Sequence, residues 1–210
     1  CEALSNRTRA IFVAHMLGNP ADMAPLTTFA QDHDLYVIED TCEALGSTYQ
    51  GHPLGSFGDL STFSFYPSHH MTTGEGGAVA TNSTRLATIV RSLRDWGRDC
   101  HCTHESPPEG ACGCRFAWQI PGLDEPYDHR YLYVEIGYNM KMTDIQAAIG
   151  LEQIEKLPGF IEDRKRNFAE LHQGLEPFEE FLLLPTWSEV ADPAWFAFPL
   201  TLRPDAPFTR

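Results

Sequence analysis

The sequence predicts an α/β fold in which a largely parallel sheet is flanked by helices. Two apolar runs of strand type, residues 10–15 and 35–39, enclose a segment with apolar residues at helical spacing. That strand–helix–strand order indicates a βαβ unit, whose two strands lie parallel in one sheet. Of the 210 residues, 42% are hydrophobic and 21% charged, which is ordinary for a globular protein.

The remaining hydrophobic patterns predict the other elements in order. Short apolar runs bounded by glycine, proline and polar residues indicate strands, and apolar residues three and four apart indicate helices. The last helix contains Pro158, where we expect an interruption because proline cannot donate the helical hydrogen bond. The predicted strands are 10–15, 35–39, 60–65, 78–81 and 195–202, and the predicted helices are 22–32, 83–94 and 143–171.

The same patterns suggest how the chain divides. We expect residues 1–150 to be the C-terminal part of a large domain, and residues 151–210 to be a linking helix and the start of a small, truncated α/β domain. Between about 95 and 135 the periodicity disappears, and a loop of that length inside a domain is usually functional. Because the chain begins at Cys1 and ends at Arg210, directly after an apolar run, we expect a fragment of a larger protein.

The charge balance excludes some classes of partner. Acidic side chains number 29 and basic ones 15, a formal net charge of −14, whereas binding to nucleic acid or anionic membranes requires basic surface. No apolar run approaches the ~18 residues of a membrane-spanning helix. The start of the chain lacks the basic-then-apolar pattern of a secretory signal. We therefore expect a cytoplasmic protein that binds neither nucleic acid nor membranes.

Cysteine is the most informative residue type. Four of the six cysteines fall between residues 100 and 114, in the pattern C-x-C-x9-C-x-C. A disulfide framework is typical of short secreted chains, whereas in a reducing compartment such clustering indicates a metal or iron–sulfur site. The six are Cys1, Cys42, Cys100, Cys102, Cys112 and Cys114.

Two polar segments follow predicted strands. Residues 39–43 (EDTCE) come directly after the second strand, where open α/β sheets place ligands, although a helix N-cap would give the same pattern. Residues 64–77 are rich in hydroxyl groups and glycine, which bind phosphate through side-chain oxygens and backbone amides. The pair His69-His70 in that segment is equally compatible with metal ligation.

Together these segments resemble a known family. The run VIEDTCEALGSTYQGHPLGSFGDLSTFSFYPSHHMTTGEGGAVATN, with LRDWGRD and IGYNMKMTDIQAAIGLEQIEKL further on, is similar to the central part of the DegT-type nucleotide-sugar aminotransferases. The resemblance covers most of residues 10–170. It implies a type I pyridoxal-phosphate (PLP)-dependent transferase fold, with a mixed, mostly parallel sheet flanked by helices, and it makes residues 1–150 part of the cofactor-binding domain.

The resemblance also implies residue roles. Asp40 would face the pyridine nitrogen of the cofactor, Ser64 would meet its phosphate, and Asn139 would reach the phosphate of the neighbouring subunit's cofactor in a homodimer. Glu43, in the same motif as Asp40, is a further candidate cofactor-binding residue. A carboxylate at the ring nitrogen keeps that nitrogen protonated, so that the ring can accept electrons.

One departure from the family bears on the reaction. His69 stands five residues after Ser64, where the family carries its Schiff-base lysine. Imidazole has no primary amine and cannot form a Schiff base, but its unperturbed pKa of about 6.5 suits a general base. We therefore expect His69 to be the catalytic base, and ordinary transamination is disfavoured.

The segments FYPSHH and GEGG are similar to the 3-dehydratase branch of the family, in which pyridoxamine phosphate (PMP) takes part in removing a sugar hydroxyl. One kind draws electrons from a sacrificial amino acid and the other from an iron–sulfur cluster. The spacing C-x57-C-x-C-x9-C resembles the pattern of the iron–sulfur kind, C-x57-C-x-C-x7-C, with a two-residue insertion. The implied ligands of a [2Fe–2S] cluster are Cys42, Cys100, Cys102 and Cys112. Cys114 is the rival for the fourth position.

The predicted activity is that of a PMP-dependent, [2Fe–2S]-containing nucleotide-4-keto-6-deoxyhexose 3-dehydratase in deoxysugar biosynthesis. The expected partners are the nucleotide-linked ketosugar, a second copy of the chain, and an NAD(P)H-dependent iron–sulfur flavoprotein reductase, because a cluster passes electrons singly and must be reloaded. Two alternatives stay open. One is a cluster-free 3-dehydratase with the same base, and the other is a non-catalytic, zinc-binding relative of the sugar aminotransferases.

Overall fold

The computed structural model describes residues 3–99, 115–116 and 119–209. The chain divides into two compact units, one of Cys1–Asn82 with Thr143–Arg210 and one of Ser83–Met142. The domain boundary expected near residue 150 stays a prediction. Strands β1 to β9 span Ala10–Ala14, Tyr36–Asp40, Thr48–Tyr49, His52–Pro53, Leu60–Ser64, Gly77–Ala80, Leu182–Leu183, Ala191–Asp192 and Thr201–Leu202. Helices α1 to α3 span Met23–Asp32, Thr84–Arg94 and Asp144–Leu175.

The first unit is built on a four-stranded sheet in the order β1-β2-β5-β6. Strands β1, β2 and β5 are parallel, and β6 is antiparallel to β5. Helix α1 connects β1 to β2, which completes the βαβ unit that the sequence predicts. Two small antiparallel sheets, β4-β3-β8 and β7-β9, belong to the same unit. The mixed, mostly parallel sheet confirms the predicted fold class.

The core of this unit lies on one side of β2. Val37 from that strand is buried together with Met23 and Ala30 from α1. Full burial of a side chain such as Met23 contributes roughly 1.5–3 kcal/mol, which stabilises a helix of only ten residues. Asp22 precedes α1 but makes no side-chain capping bond, because its carboxylate accepts a hydrogen bond from the Tyr49 hydroxyl instead.

The opposite face of the sheet combines an apolar surface with the end of β2. Asp40 pairs with Thr62 in the neighbouring strand, and side chains two apart in a strand share a face. By the same registers, Phe12, Tyr36 and Val79 lie on the face that carries Asp40. Phe12 is 63% exposed, Tyr36 46% and Val79 48%. The core therefore covers one face of the sheet, and on the other face these three side chains are exposed among the described residues.

Helix α3 is continuous, so the interruption expected at Pro158 is wrong. A proline removes one hydrogen bond from the helix, but tertiary contacts hold α3 on both sides of it. Before Pro158, the Gln146 side chain donates to the Glu75 carbonyl at 2.9 Å, and after it, Arg164 donates to the Trp195 carbonyl at 3.1 Å. Of the helices in the described ranges, none is both long and apolar enough to cross a membrane.

The strand predicted at 195–202 is also wrong, because only its last two residues form β9. The backbone amides just before β9 are not paired with another strand; they form hydrogen bonds with groups elsewhere in the chain. The Phe196 amide donates to the Leu17 carbonyl at 2.8 Å, and the Ala194 amide donates to the Ser47 hydroxyl at 2.8 Å. These bonds satisfy the polar backbone groups that a strand would otherwise pair with a neighbour.

The second unit contains α2 and the residues that follow it. Ser83 caps α2, since its hydroxyl accepts a hydrogen bond from the third amide of the helix. Beyond α2, isolated antiparallel bridges join Asp95 to Asn139 and Arg98 to Tyr133. The bridges bring the segment after α2 together with the segment that leads to α3.

Candidate functional site

The carboxyl ends of β2 and β5 are neighbours, and each strand ends in a predicted site residue. Asp40 ends β2 and pairs with Thr62, while Ser64 ends β5 two positions further along. Because residues two apart in a strand share a face, the side chains of Asp40, Thr62 and Ser64 lie on one face of the sheet. Two predicted residues thus meet at the edge where open α/β sheets bind ligands.

The Asp40 carboxylate is held through one of its two oxygens. Oδ1 accepts hydrogen bonds from the Cys42 amide at 3.1 Å and from the Thr62 hydroxyl at 3.4 Å. Within the described residues, Oδ2 makes no hydrogen bond. An ionised carboxylate only accepts, so Oδ2 is available to an N–H donor such as a protonated ring nitrogen.

Ser64 stands at the start of a loop, residues 65–76, that connects β5 to β6. The Phe65 amide donates to the Gly76 carbonyl at 2.9 Å, which ties the two ends of the loop together. The Ser64 hydroxyl oxygen accepts a hydrogen bond from the Tyr66 amide at 3.3 Å. A hydroxyl that accepts in this way still has its own proton to donate, for example to a phosphate oxygen.

His69 lies in the 65–76 loop, where its amide donates to the Tyr66 carbonyl at 3.0 Å. Its ring lies 5.2 Å from the ring of Phe196 and 6.3 Å from that of Tyr66, measured between centroids. The Nδ1 atom is buried and has no hydrogen-bond partner in the part of the chain that the structure describes. Since nothing there fixes its tautomer, either ring nitrogen can carry the proton.

His70 has a structural environment. It is 2% exposed, and its Nε2 hydrogen-bonds to the Ala194 carbonyl. Burial lowers the pKa of His70 to about 4, against the smaller opposing effect of that carbonyl. The imidazole is therefore neutral at pH 7 and donates through Nε2, so His70 anchors the backbone near residue 194.

Among the predicted cluster ligands, Cys42 alone belongs to the described residues. Cys100, Cys102 and Cys112 lie outside them, as does the rival Cys114. In the described ranges no three His, Cys, Asp or Glu side chains are grouped so as to hold a metal ion. The predicted ligand set therefore stays a prediction.

The Cys42 thiol is half-buried beside the Asp40 carboxylate. Its Sγ lies 3.8 Å from the Thr62 hydroxyl oxygen. Burial raises the pKa of Cys42 to about 11, and the hydrogen bond with Asp40 acts in the same direction. An uncoordinated thiol at this position stays protonated at neutral pH.

The two remaining predicted residues lie in separate units. Glu43 accepts a hydrogen bond from the Leu17 amide at 2.8 Å, and Leu17 has a left-handed backbone with φ of 58°. A non-glycine residue in that region costs roughly 1–2 kcal/mol, which the bond to Glu43 helps to offset. Asn139 lies in the second unit, bridged to Asp95. Cofactor binding by Glu43 and Asn139 stays a prediction.

Sequence reasoning passed over a buried pair next to Asp40, formed by His15 at 1% exposure and Glu39 at 0%. The Glu39 carboxylate accepts four hydrogen bonds, from His15 Nε2 at 3.2 Å and from the amides of Gly55, Phe57 and Gly58 at 2.8, 2.9 and 2.6 Å. Burial raises the pKa of Glu39, but the bonds from His15, Gly55 and Gly58 outweigh it and leave that pKa below its ordinary value. One feature of the sequence could have indicated this pair: Glu39 lies two residues after Val37, so an acidic side chain shares the buried face of an apolar strand.

A cleft of about 500 Å³ opens beside the 65–76 loop and α3, within the first unit. The ring of His69 is part of its wall, so a molecule in the cleft can reach this imidazole. The cleft is lined by Pro67, His69, His70, Thr72, Gln153, Phe160, Asp163, Arg164 and Asn167.

Comparison with known proteins identifies the family. Residues 1–210 match the model of the DegT/DnrJ/EryC1/StrS aminotransferase family. The chain belongs to that family. This confirms the resemblance that the motifs around Asp40 and Ser64 indicate.

Two curated relatives are similar over nearly the whole chain. The lipopolysaccharide biosynthesis protein RfbH of Salmonella typhimurium is 49% identical over 96% of this chain and 46% of its own length. A dTDP-4-dehydro-2,6-dideoxy-D-glucose 3-dehydratase of Saccharopolyspora spinosa is 48% identical over 99% of this chain and 44% of its own length. The chain thus spans about half the length of the curated relatives it matches.

Solved structures give the same result for the fold. An Escherichia coli GDP-4-keto-6-deoxy-D-mannose-3-dehydratase with bound hydrated PLP superposes with a TM-score of 0.77 at 29% identity, covering 99% of this chain and 50% of the other. An aminotransferase from Psychrobacter cryohalolentis also reaches 0.77 at 29% identity, covering 96% and 49%. The neighbours therefore include both dehydratases and aminotransferases on one fold.

Proposed function

We propose that the chain is part of a PMP-dependent nucleotide-4-keto-6-deoxyhexose 3-dehydratase of the iron–sulfur kind, acting in deoxysugar biosynthesis. The observation that carries the proposal is His69, an imidazole without a hydrogen-bond partner on Nδ1 among the described residues, at the position of the family's lysine. A relative named as a 3-dehydratase, at 48% identity over 99% of the chain, supports this branch.

The residues at the sheet edge fit a pyridoxal- or pyridoxamine-type cofactor. Asp40 offers an unengaged carboxylate oxygen to a protonated ring nitrogen, and Ser64 on the same face offers a hydroxyl proton to a phosphate. When bound, such a cofactor supplies an electron sink to the sugar. The described part of the chain would supply the carboxylate that keeps the ring nitrogen protonated, from Asp40, and one phosphate contact, from Ser64.

His69 would move the proton. An imidazole can accept and release a proton, and Nδ1 of His69 has no hydrogen-bond partner among the described residues. The ring lies against that of Phe196, tilted by 36° with 5.2 Å between the centroids, and this contact occupies neither nitrogen. An imidazole in such a setting can take up a proton and release it in the same turnover.

The net reaction needs two electrons from outside the chain. Replacing the C3 hydroxyl by hydrogen breaks the C3–O bond, consumes two electrons and two protons, and releases water. NAD(P)H would supply the electron pair through a flavoprotein reductase, and a [2Fe–2S] cluster would relay the electrons singly. We propose that the cluster ligands are Cys42, Cys100, Cys102 and Cys112.

A second candidate function is a cluster-free 3-dehydratase with His69 as the same base. The observation that favours it is the setting of Cys42, whose half-buried thiol lies 3.8 Å from the Thr62 hydroxyl oxygen. In that enzyme the reducing electrons would come from a sacrificial amino acid. A cytoplasmic homodimer is proposed for either enzyme.

The test is metal and sulfide analysis of the anaerobically purified full-length protein, followed by turnover of a nucleotide-linked 4-keto-6-deoxyhexose with PMP. Iron and sulfide in equal amounts, with turnover that requires a reductase and NAD(P)H, support the main proposal. Turnover without iron but with an amino-acid donor supports the second candidate. Bound zinc without turnover contradicts both and indicates the non-catalytic relative.

A further inference from the structure

The buried pair His15–Glu39 lies on the side of β2 opposite the Asp40 side chain. Glu39 and Asp40 are consecutive in that strand, so any movement of the backbone at Glu39 displaces the Asp40 carboxylate. The apolar core against β2 includes Val37, and the neighbouring strand places the buried Ser61 opposite Glu39. A fully buried carboxylate is costly to desolvate, so its place there calls for a reason.

The hydrogen bonds of Glu39 connect β2 to two other parts of the chain. Oε2 joins it to His15, which follows β1, and to the Gly55 amide, while Oε1 accepts from the amides of Phe57 and Gly58. All four donors are consistent with one orientation of the carboxylate. β2 is therefore tied to its neighbour β1 and to the 54–58 loop at the residue that precedes Asp40.

His15 forms hydrogen bonds with both Glu39 and Asp40. Its backbone amide donates to the Asp40 carbonyl at 3.1 Å, and its Nε2 bonds to Glu39 at 3.2 Å. Its Nδ1 accepts a hydrogen bond from the Ala21 amide at 3.1 Å, so the proton is on Nε2 and is donated to Glu39. One imidazole thus orders the end of β2 through the backbone of Asp40 and the side chain of Glu39.

We propose that His15 and Glu39 are positioning residues that hold the Asp40 carboxylate in place for the ring nitrogen of the cofactor. The proposal rests on the cofactor role proposed for Asp40. Among the described residues, the Asp40 carboxylate is held by hydrogen bonds to Oδ1 from the Cys42 amide and the Thr62 hydroxyl, and by a bond with the Cys42 thiol. The orientation of its free oxygen therefore depends on the backbone that His15 and Glu39 fix.

The experiment compares His15→Leu, His15→Gln and Val37→Ala in the full-length protein. Leucine removes both ring nitrogens, whereas the glutamine amide can still donate to Glu39 from about the place of Nε2. Val37 is buried on the same side of β2 and its side chain makes none of the hydrogen bonds to Glu39 or His15, so Val37→Ala is the control for a weakened core. Circular dichroism selects a temperature at which all variants are folded.

Two readouts report on Asp40 apart from turnover. Hydrogen exchange of the cofactor-free protein measures the protection of residues 36–43, and the absorption maximum of bound PLP reports protonation of the ring nitrogen. We expect His15→Leu to speed exchange in residues 36–43, to shift the absorption maximum, and to lower kcat by about 10- to 100-fold with little change in KM. His15→Gln should recover most of each effect, and Val37→Ala should lower stability only.

An unchanged absorption maximum and kcat in a folded but destabilised His15→Leu protein would show that the pair is merely structural. Equal effects of Val37→Ala would lead to the same conclusion. Asp40→Asn separates this outcome from failure of the proposed function. If Asp40→Asn leaves the absorption of bound PLP unchanged, then Asp40 does not contact the ring nitrogen. That result would overturn both the cofactor role proposed for Asp40 and the positioning role proposed for His15 and Glu39.

Discussion

At the scale of the single residue, the proposed chemistry depends on His69. The resemblance to the family aligns this residue with the Schiff-base lysine, and its Nδ1 has no hydrogen-bond partner in the described residues. We expect His69→Lys in the full-length protein to bind PLP covalently and to lose dehydration, because a primary amine forms a Schiff base and imidazole does not.

Borohydride reduction followed by mass spectrometry measures this outcome. The expected result is a pyridoxyl adduct at position 69 in the variant and none in the wild-type protein. His69→Asn is the matched control, since it removes the imidazole without supplying an amine. A reduced adduct on any lysine of the wild-type protein would contradict the proposed role of His69.

The Glu39 carboxylate makes stability depend on acid pH. Its folded-state pKa lies below the ordinary value of 4.5, so its contribution is fully present above that value and is lost as pH falls through the folded pKa. At pH 7 we expect Glu39→Gln to cost about 2–3 kcal/mol, because its amide group faces backbone donors. Urea unfolding of the full-length protein at pH 7 and near pH 3 measures the difference between variant and wild type. A difference that does not shrink in acid would contradict this interpretation.

The sequence indicated the outward-facing residues at these strand ends but not the inward-facing pair. A ligand-binding position for residues 39–43 was predictable from the apolar strand before them, whereas the roles of Asp40 and Ser64 came from the family resemblance and stay predictions. His15 and Glu39 were not predictable, since the satisfaction of a buried carboxylate depends on where the Gly55–Gly58 amides fold back. The position of these amides depends on the tertiary fold, and no hydrophobic periodicity in the sequence predicts it.

At the scale of the element, α3 continues through a residue that normally ends a helix. Pro158 removes a hydrogen bond, and the bonds of Gln146 and Arg164 keep the two halves aligned. We expect Pro158→Ala to stabilise the protein by up to about 3 kcal/mol, because it restores the missing bond and relieves the ring clash. Thermal unfolding measures the gain. Pro177→Ala, at the start of a short 3-10 turn, is the control and should change little.

The turn of residues 16–18 and the segment of residues 194–196 form a tightly packed pair. An added Cβ at Gly18, whose φ is +87°, would lie 2.9 Å from the Phe196 amide nitrogen and from the Trp195 Cα. Gly51 has a similar φ of +77° but no atom within 4 Å of an added Cβ. We expect Gly18→Ala to cost clearly more than the roughly 1–2 kcal/mol of Gly51→Ala, which has the backbone strain alone. Equal losses in denaturant unfolding would contradict the packing described.

The errors of sequence reasoning at this scale have one cause. The break expected at Pro158 and the strand expected at residues 195–202 were both inferred from local patterns. In each case a contact distant in sequence overrode the local pattern: the Arg164 side chain joins α3 to the Trp195 carbonyl, and the Phe196 amide donates to the Leu17 carbonyl. Local propensity decides an element only where such contacts are missing.

At the scale of the whole molecule, the proposed cluster would join two distant parts of the sequence. Cys42 follows β2, and the other three proposed ligands lie between residues 100 and 112 of the sequence, outside the described residues. We expect Cys42→Ser in the full-length protein to lose iron and the electron-spin resonance signal of the reduced cluster. Cys114→Ser is the matched control and should retain both. The reverse result would leave a cluster in place but replace Cys42 by Cys114 in the ligand set.

The open face of the sheet has a practical consequence for anyone who handles this 210-residue chain by itself. Phe12, Tyr36 and Val79 present aromatic and aliphatic surface beside the Asp40 carboxylate. Exposed apolar patches of this kind promote association between copies and bind amphiphilic dyes. Light scattering of the isolated chain would therefore measure association through this face, and dye fluorescence would measure its exposed apolar surface. At high protein concentration, such association would interfere with measurements of cofactor affinity on the isolated chain.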